Sequence, residues 1–212
     1  MDGLARARRA IASLLPGLLW LACQSAARPQ ATGAVEEWAE GPARWLILPD
    51  DAKQLHRVRT NQEAVAFMES FWQRRDPNPG QPGNPFVQIF YQRVEAADRL
   101  YAEEGTRGSL TDRGRALVLL GPPPLLAYGQ KPAASWEPGR EGKPLVQTHK
   151  VQVETWTYHE ADLTPAMVAL LKAEGRVPEV SLVFVAGPRT FLIEGGRLLD
   201  LAARAAVRDS GR

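Results

Sequence analysis

The order of patterns along the 212 residues predicts an α+β fold, with N-terminal helices packed on a mainly antiparallel sheet and a helix at the C-terminus. Helical spacing of apolar residues dominates as far as residue 104, and continuous or alternating apolar runs take over from residue 115. Gly187-Pro188-Arg189 separates two of those runs in the manner of a hairpin turn. Apolar residues make up 44% of the chain and charged residues 24%, the composition of an ordinary globular protein.

Taken in order, Trp45–Leu48 reads as a short strand, and Pro49-Asp50-Asp51 opens a short helix reaching Val58. Thr60 and Glu63 have the spacing of a capping box. Ala64, Phe67, Met68, Phe71 and Trp72 then recur at helical spacing, and the helix should stop at Arg75, ahead of Pro77. Four prolines and two glycines make residues 76–85 a loop. Asn84 caps the next helix with Pro85 in its first turn, and Phe86, Phe90, Val94, Ala97 and Tyr101 form its stripe as far as Gly105. Both aromatic helices are expected to lie against the sheet.

Arg115–Leu120, an unbroken apolar run closed by Gly121 and three prolines, reads as a buried central strand. Residues 125–150 read as a long loop, and the alternation in Val151–His159 as a strand. Thr164 caps a helix through Ala173. Val180–Ala186 and Thr190–Ile193 form the hairpin, and Arg197–Val207 forms the last helix.

The N-terminus carries a different kind of information. Arg6, Arg8 and Arg9 precede an apolar run over residues 10–22, the pattern of an export signal, and Pro16-Gly17 interrupt a run already too short to span a bilayer. Without that segment the remaining acidic and basic residues balance. The chain therefore has no basic footprint for nucleic acid. The single cysteine, Cys23, falls where the apolar run ends. Trp20-Leu21-Ala22-Cys23 resembles the lipobox of bacterial lipoproteins, which implies lipidation at Cys23 and, with Gln24 next to it, sorting to the periplasmic side of the outer membrane. The alternative is plain cleavage at Ser25-Ala26-Ala27, giving a soluble periplasmic or secreted protein. The expected divisions are a signal peptide over 1–22, a lipid-anchored tether over 23–43, a folded domain over 44–195, and a C-terminal helix and tail over 196–212.

Several residues bear on chemistry. Thr111-Asp112-Arg113-Gly114 reads as a turn, with Asp112 bonding its own backbone and Gly114 at positive φ. Asp112 as a catalytic carboxylate is the alternative. Arg74, Arg75 and Asp76 form a charged helix end or, alternatively, hold an anion. Glu154, Trp156 and Tyr158 share one strand face. There Glu154 is expected to pair with Arg113 or Arg115 across neighbouring strands, because a buried acid left alone is costly. A pocket-lining acid is the alternative. His56, His149 and His159 have no metal-binding spacing, and no phosphate-cradling loop or nucleophile elbow occurs, so no metal or cofactor is expected.

The segments Phe71-Trp72-Gln73-Arg74-Arg75-Asp76-Pro77-Asn78-Pro79-Gly80, Phe90-Tyr91-x-Arg93-Val94, Gly108-Ser109-Leu110-Thr111-Asp112-Arg113-Gly114-Arg115, Gly121-Pro122-Pro123 and Glu154-x-Trp156-x-Tyr158 follow one another at intervals. Together they resemble the GWxTD domain family of bacterial envelope proteins, over about residues 44–194. The family has no assigned activity. Ser109 stands where it has its naming tryptophan, and Pro85 where an acidic residue is usual after Asn84.

These readings lead to an envelope-anchored, non-enzymatic binding module, contacting the membrane through its lipid and a protein, peptide or glycan through the loops at 76–85 and 121–150. One alternative is a hydrolase using Asp112 and Glu154 with His159 as base. Another is a structural part of a larger envelope complex.

Overall fold

The computed structural model describes residues 31–138, 144–187 and 189–207. Cys23 lies outside the described residues, and with it the expectations about the signal and its lipid.

Among the described residues, seven α-helices and four strands build the fold, which is α+β as expected. The helices of the N-terminal half are α1 (Ala31–Glu40), α2 (Pro49–Leu55), α3 (Asn61–Gln73), α4 (Pro85–Leu100) and α5 (Asp112–Leu120). Then come β1 (Leu125–Pro138), β2 (Pro144–Tyr158), α6 (Pro165–Ala173), β3 (Val180–Val185), β4 (Phe191–Glu194) and α7 (Gly196–Ala205). The strands lie in the order β1-β2-β3-β4, all antiparallel. One face of the sheet is closed by Trp156 and Tyr158 of β2 beside Val180, Leu182 and Phe184 of β3, all buried.

The caps form as local chemistry dictates. The Thr60 side chain accepts from Glu63 N–H, and the Glu63 carboxylate accepts from Thr60 N–H. Asn84 caps α4 through Val87 N–H, and its amide also donates to Trp72 O at 2.9 Å, tying the end of α3 to the start of α4. Thr164 caps α6 through Met167 N–H.

Four expectations are corrected. Residues 31–40 are a helix, not part of a tether, because Val35 and Trp38 lie one turn apart and find a hydrophobic partner in α3. Val35 is buried, and the Trp38 ring stands edge-on to Phe71 at 4.9 Å. The Trp45–Leu48 strand is replaced by a 3-10 turn over Pro42–Leu46, which buries Ala43 and Leu46. Arg115–Leu120 is the body of α5, not a strand. A short apolar run carries no period that separates a helix buried on several sides from a central strand, and Ala116, Leu117 and Val118 are all buried. Residues 125–150 are not a loop but most of a hairpin, in register from Leu125↔Thr157 to Pro138↔Pro144. Its exposed residues show no apolar alternation, so the backbone pairing left no sequence signal.

The two aromatic helices also sit differently. α3 packs on α1 and α2, and α4 packs on α5. α4 approaches the sheet through its C-cap residue Tyr101, whose ring lies 5.6 Å from Trp156. Trp72 joins α3 to α4, with ring centroids 5.2 Å from Phe90 and 6.4 Å from Phe86, and it also meets Trp38 at 5.9 Å.

Trp72→Ala should therefore cost about 3 kcal/mol, the lower end for a large core aromatic, because the ring is only partly buried. Chemical denaturation reads this directly. An unchanged midpoint would show that the ring does not hold the two helices together.

Candidate functional site

The segment from Gly108 to Gly114 makes a junction between α4 and α5. Thr111 caps α5: its Oγ1 accepts from Gly114 N–H at 3.1 Å and donates to Gly108 O at 2.7 Å. Asp112 enters the first turn of α5, and its Oδ2 accepts from Leu192 N–H at 2.8 Å, fastening β4. Gly114 is helical, not at positive φ, and is needed for a different reason: a Cβ there would stand 1.8 Å from Gly108 O. A Cβ on Gly108 would stand 1.9 Å from Ala97 O of α4. Ser109 is fully buried, donates its N–H to Asp98 and accepts from the Trp45 indole at 2.8 Å.

Glu154 is buried beside this junction and pairs with Arg113, at 3.5 Å. The partner comes from helix α5 rather than a neighbouring strand. Arg113 also reaches Glu103 at 3.7 Å, and its guanidinium lies 5.0 Å from the centre of the Tyr101 ring. Glu154 accepts the Trp156 indole N–H as well. Tyr158 donates to Gly121 O at 2.8 Å, and burial pushes its phenol well above the ordinary range. Arg115 is elsewhere, paired with Asp200 and lying over the Trp45 ring. His159 is exposed and faces Glu179 at 3.4 Å. Asp112, Glu154 and His159 are thus each engaged by a separate partner.

Arg75 is the second buried centre. Its side chain is 0% exposed and donates to Phe71 O, Leu46 O and Asp51 Oδ2 at 2.7–2.9 Å, over the face of the Phe71 ring. Burial pulls the guanidinium below its usual range, and Asp51 opposes that shift. Arg74 bonds the other Asp51 oxygen, and the same carboxylate accepts Leu48 N–H. Asp76 makes only a local turn, accepting Asn78 N–H. These charges lock α2 to α3.

Between α4, α5, α6 and α7 lies an apolar pocket of about 560 Å³. α4 contributes Phe86, Ile89, Phe90 and Arg93, and the C-terminal turn of α5 contributes Val118 to Leu120. Leu163 and Met167 close one side, and the small side chains of Ala202, Ala205 and Ala206 leave room on another. Its charged lining residues are Arg75, Arg93 and Asp162. Arg75 is taken by Asp51, and Asp162 caps the turn after β2 by accepting His159 N–H. Arg93 donates through Nη1 to Val118 O and Leu119 O, at 3.2 and 3.3 Å. No carboxylate lies within 4.0 Å of Arg93 among the described residues, and burial pulls its guanidinium below the ordinary range.

Sequence reasoning named Arg93 only within a resemblance and missed the pocket. The signal was present: residues 86, 89, 90 and 93 share one helical stripe, and the last of them is charged. Of the two loops expected to bind a partner, the first contributes Pro77 to the pocket and the second is largely strand.

The GWxTD domain family model matches residues 39–141, from the end of α1 to the connection between β1 and β2. No curated protein and no solved structure matches the chain.

Glu154→Gln should lower stability by about 1–2 kcal/mol, since it removes an ion pair but keeps an acceptor for Trp156. In a double-mutant cycle it should couple to Arg113→Met and add independently to Arg115→Met. Coupling to Arg115 instead of Arg113 would contradict this arrangement.

Proposed function

We propose that the chain, whose residues 39–141 match the GWxTD domain family model, is a non-enzymatic binding module of the bacterial cell envelope, held at the membrane by a lipid on Cys23. The observation that carries the binding reading is the apolar pocket of about 560 Å³ between α4, α5, α6 and α7. Ligand pockets are mostly apolar concavities of roughly 300–1,000 Å³ with a few fixed polar groups. Asp162 is the one carboxylate in its lining, whereas acid–base hydrolysis calls for titratable groups converging on a reacting atom. The favoured partner is therefore a small, largely apolar molecule rather than a glycan.

Export and anchoring rest on the sequence: a basic start, a short apolar run, and the single cysteine at its end. One acyl chain would anchor the protein weakly, and two or more would anchor it firmly.

Two measurements test the proposal. Cys23→Ala should abolish fatty-acid labelling and release the protein from membranes; persistent membrane fractionation would refute the anchor. Native mass spectrometry of protein purified from envelopes should show a bound small molecule, lost in Ala206→Phe, which fills the pocket, while the melting temperature is retained. A folded Ala206→Phe variant with an unchanged ligand load would refute the pocket.

A further inference from the structure

We propose that the pocket takes a single-chain fatty carboxylate, with its acyl chain between α4 and α7 and its carboxylate on Arg93. The inference rests on the pocket being a ligand site and assigns the ligand's chemistry.

Three observations carry it. First, the walls supplied by Phe86, Phe90, Leu120 and Met167 offer a flexible chain apolar contact, and the alanines of α7 keep the space open. A volume of about 560 Å³ suits one chain better than a two-chain lipid.

Second, the charge at the pocket is of the right sign and is incompletely answered. Arg93 uses only Nη1 in its two bonds to the carbonyls ending α5. No carboxylate within 4.0 Å balances it among the described residues, whereas Arg75, the other lining arginine, has Asp51 at 2.9 Å. A guanidinium in partly apolar surroundings gains from an anion, and its planar fork matches a planar carboxylate edge to edge. Asp162 is the opposing charge in the lining, and it is already held by His159 N–H.

Third, the fold begins close to the anchor. α1 starts at Ala31, eight residues after Cys23, so a lipid on Cys23 would keep the start of the domain within about 28 Å of the bilayer at full extension. Fatty carboxylates partition into that surface.

The test is calorimetric titration of the full chain in detergent-free buffer with octanoate, decanoate and dodecanoate. Dodecanol, dodecyl phosphate and dodecyltrimethylammonium serve as comparisons. Dodecanoate should bind one to one, with affinity rising roughly fourfold per buried methylene along the series. It should exceed dodecanol and dodecyltrimethylammonium by roughly ten- to a hundredfold, the worth of a charge-assisted hydrogen bond. Arg93→Gln should bring dodecanoate down to the level of dodecanol, leaving dodecanol unchanged. Should Arg93→Gln fail to fold, Arg93→Lys keeps the charge but not the fork, and should weaken dodecanoate selectively. Equal binding of dodecanoate and dodecanol by wild type would overturn the carboxylate assignment while leaving the pocket as a ligand site. Tighter binding of dodecyl phosphate would overturn it likewise. Binding of none of the probes, with Ala206→Phe also without effect on the native ligand load, would overturn both readings.

Discussion

The rest of the fold depends on a backbone approach too close for any side chain. Gly108 packs its α-carbon against the carbonyl of Ala97, and Gly114 packs against the carbonyl of Gly108. Three backbone segments meet there: the last turns of α4, the 3-10 turn Gly108–Leu110, and the first turn of α5. That contact fixes where α4 and α5 cross. Everything downstream follows from the crossing: Asp112 reaches β4, Arg113 reaches Glu154, and Arg93, near the middle of α4, meets the carbonyls at the far end of α5. The apolar pocket opens beside that far end, so a junction made of glycines where α4 ends and α5 begins positions a guanidinium at the far end of α5.

Ser109 stands where the GWxTD resemblance has its naming tryptophan, and the local roles of the segment persist without it. The positions around it are occupied for backbone reasons: glycine for proximity, threonine as a cap, aspartate as a tie to β4. Those roles do not require an aromatic ring at 109. The indole of Trp45, brought in by the turn at Pro42–Leu46, bonds the Ser109 carbonyl, and Arg44 and Arg115 lie near its ring.

What could be read from the sequence divides by the range of the physics involved. The Thr60–Glu63 box, the Asn84-Pro85 start and the Thr164 cap were legible because a cap is satisfied within one turn by its own side chain. The Glu154–Arg113 pair was legible because a buried acid demands a partner, although its helical origin was not. α5 was misread because burial on several sides erases the period that distinguishes a helix. α1 was missed because two apolar side chains in a polar stretch become meaningful only once α3 supplies the surface they cover. The pocket was illegible in kind: it exists between four helices, and no local pattern encodes an empty space.

The hairpin has a property that the rest of the domain lacks. Among the described residues, Val153–Thr157 of β2 is flanked on both sides, by β1 and β3. The stretch from residue 144 to 151 pairs with β1, and its residues 146–150 are solvent-exposed. An isolated two-stranded hairpin is only marginally stable by itself. Its amides can therefore exchange with solvent through local opening while the core amides of β3 and α5 wait for global unfolding. Opening of that ribbon would leave α5, which helps wall the pocket, in place.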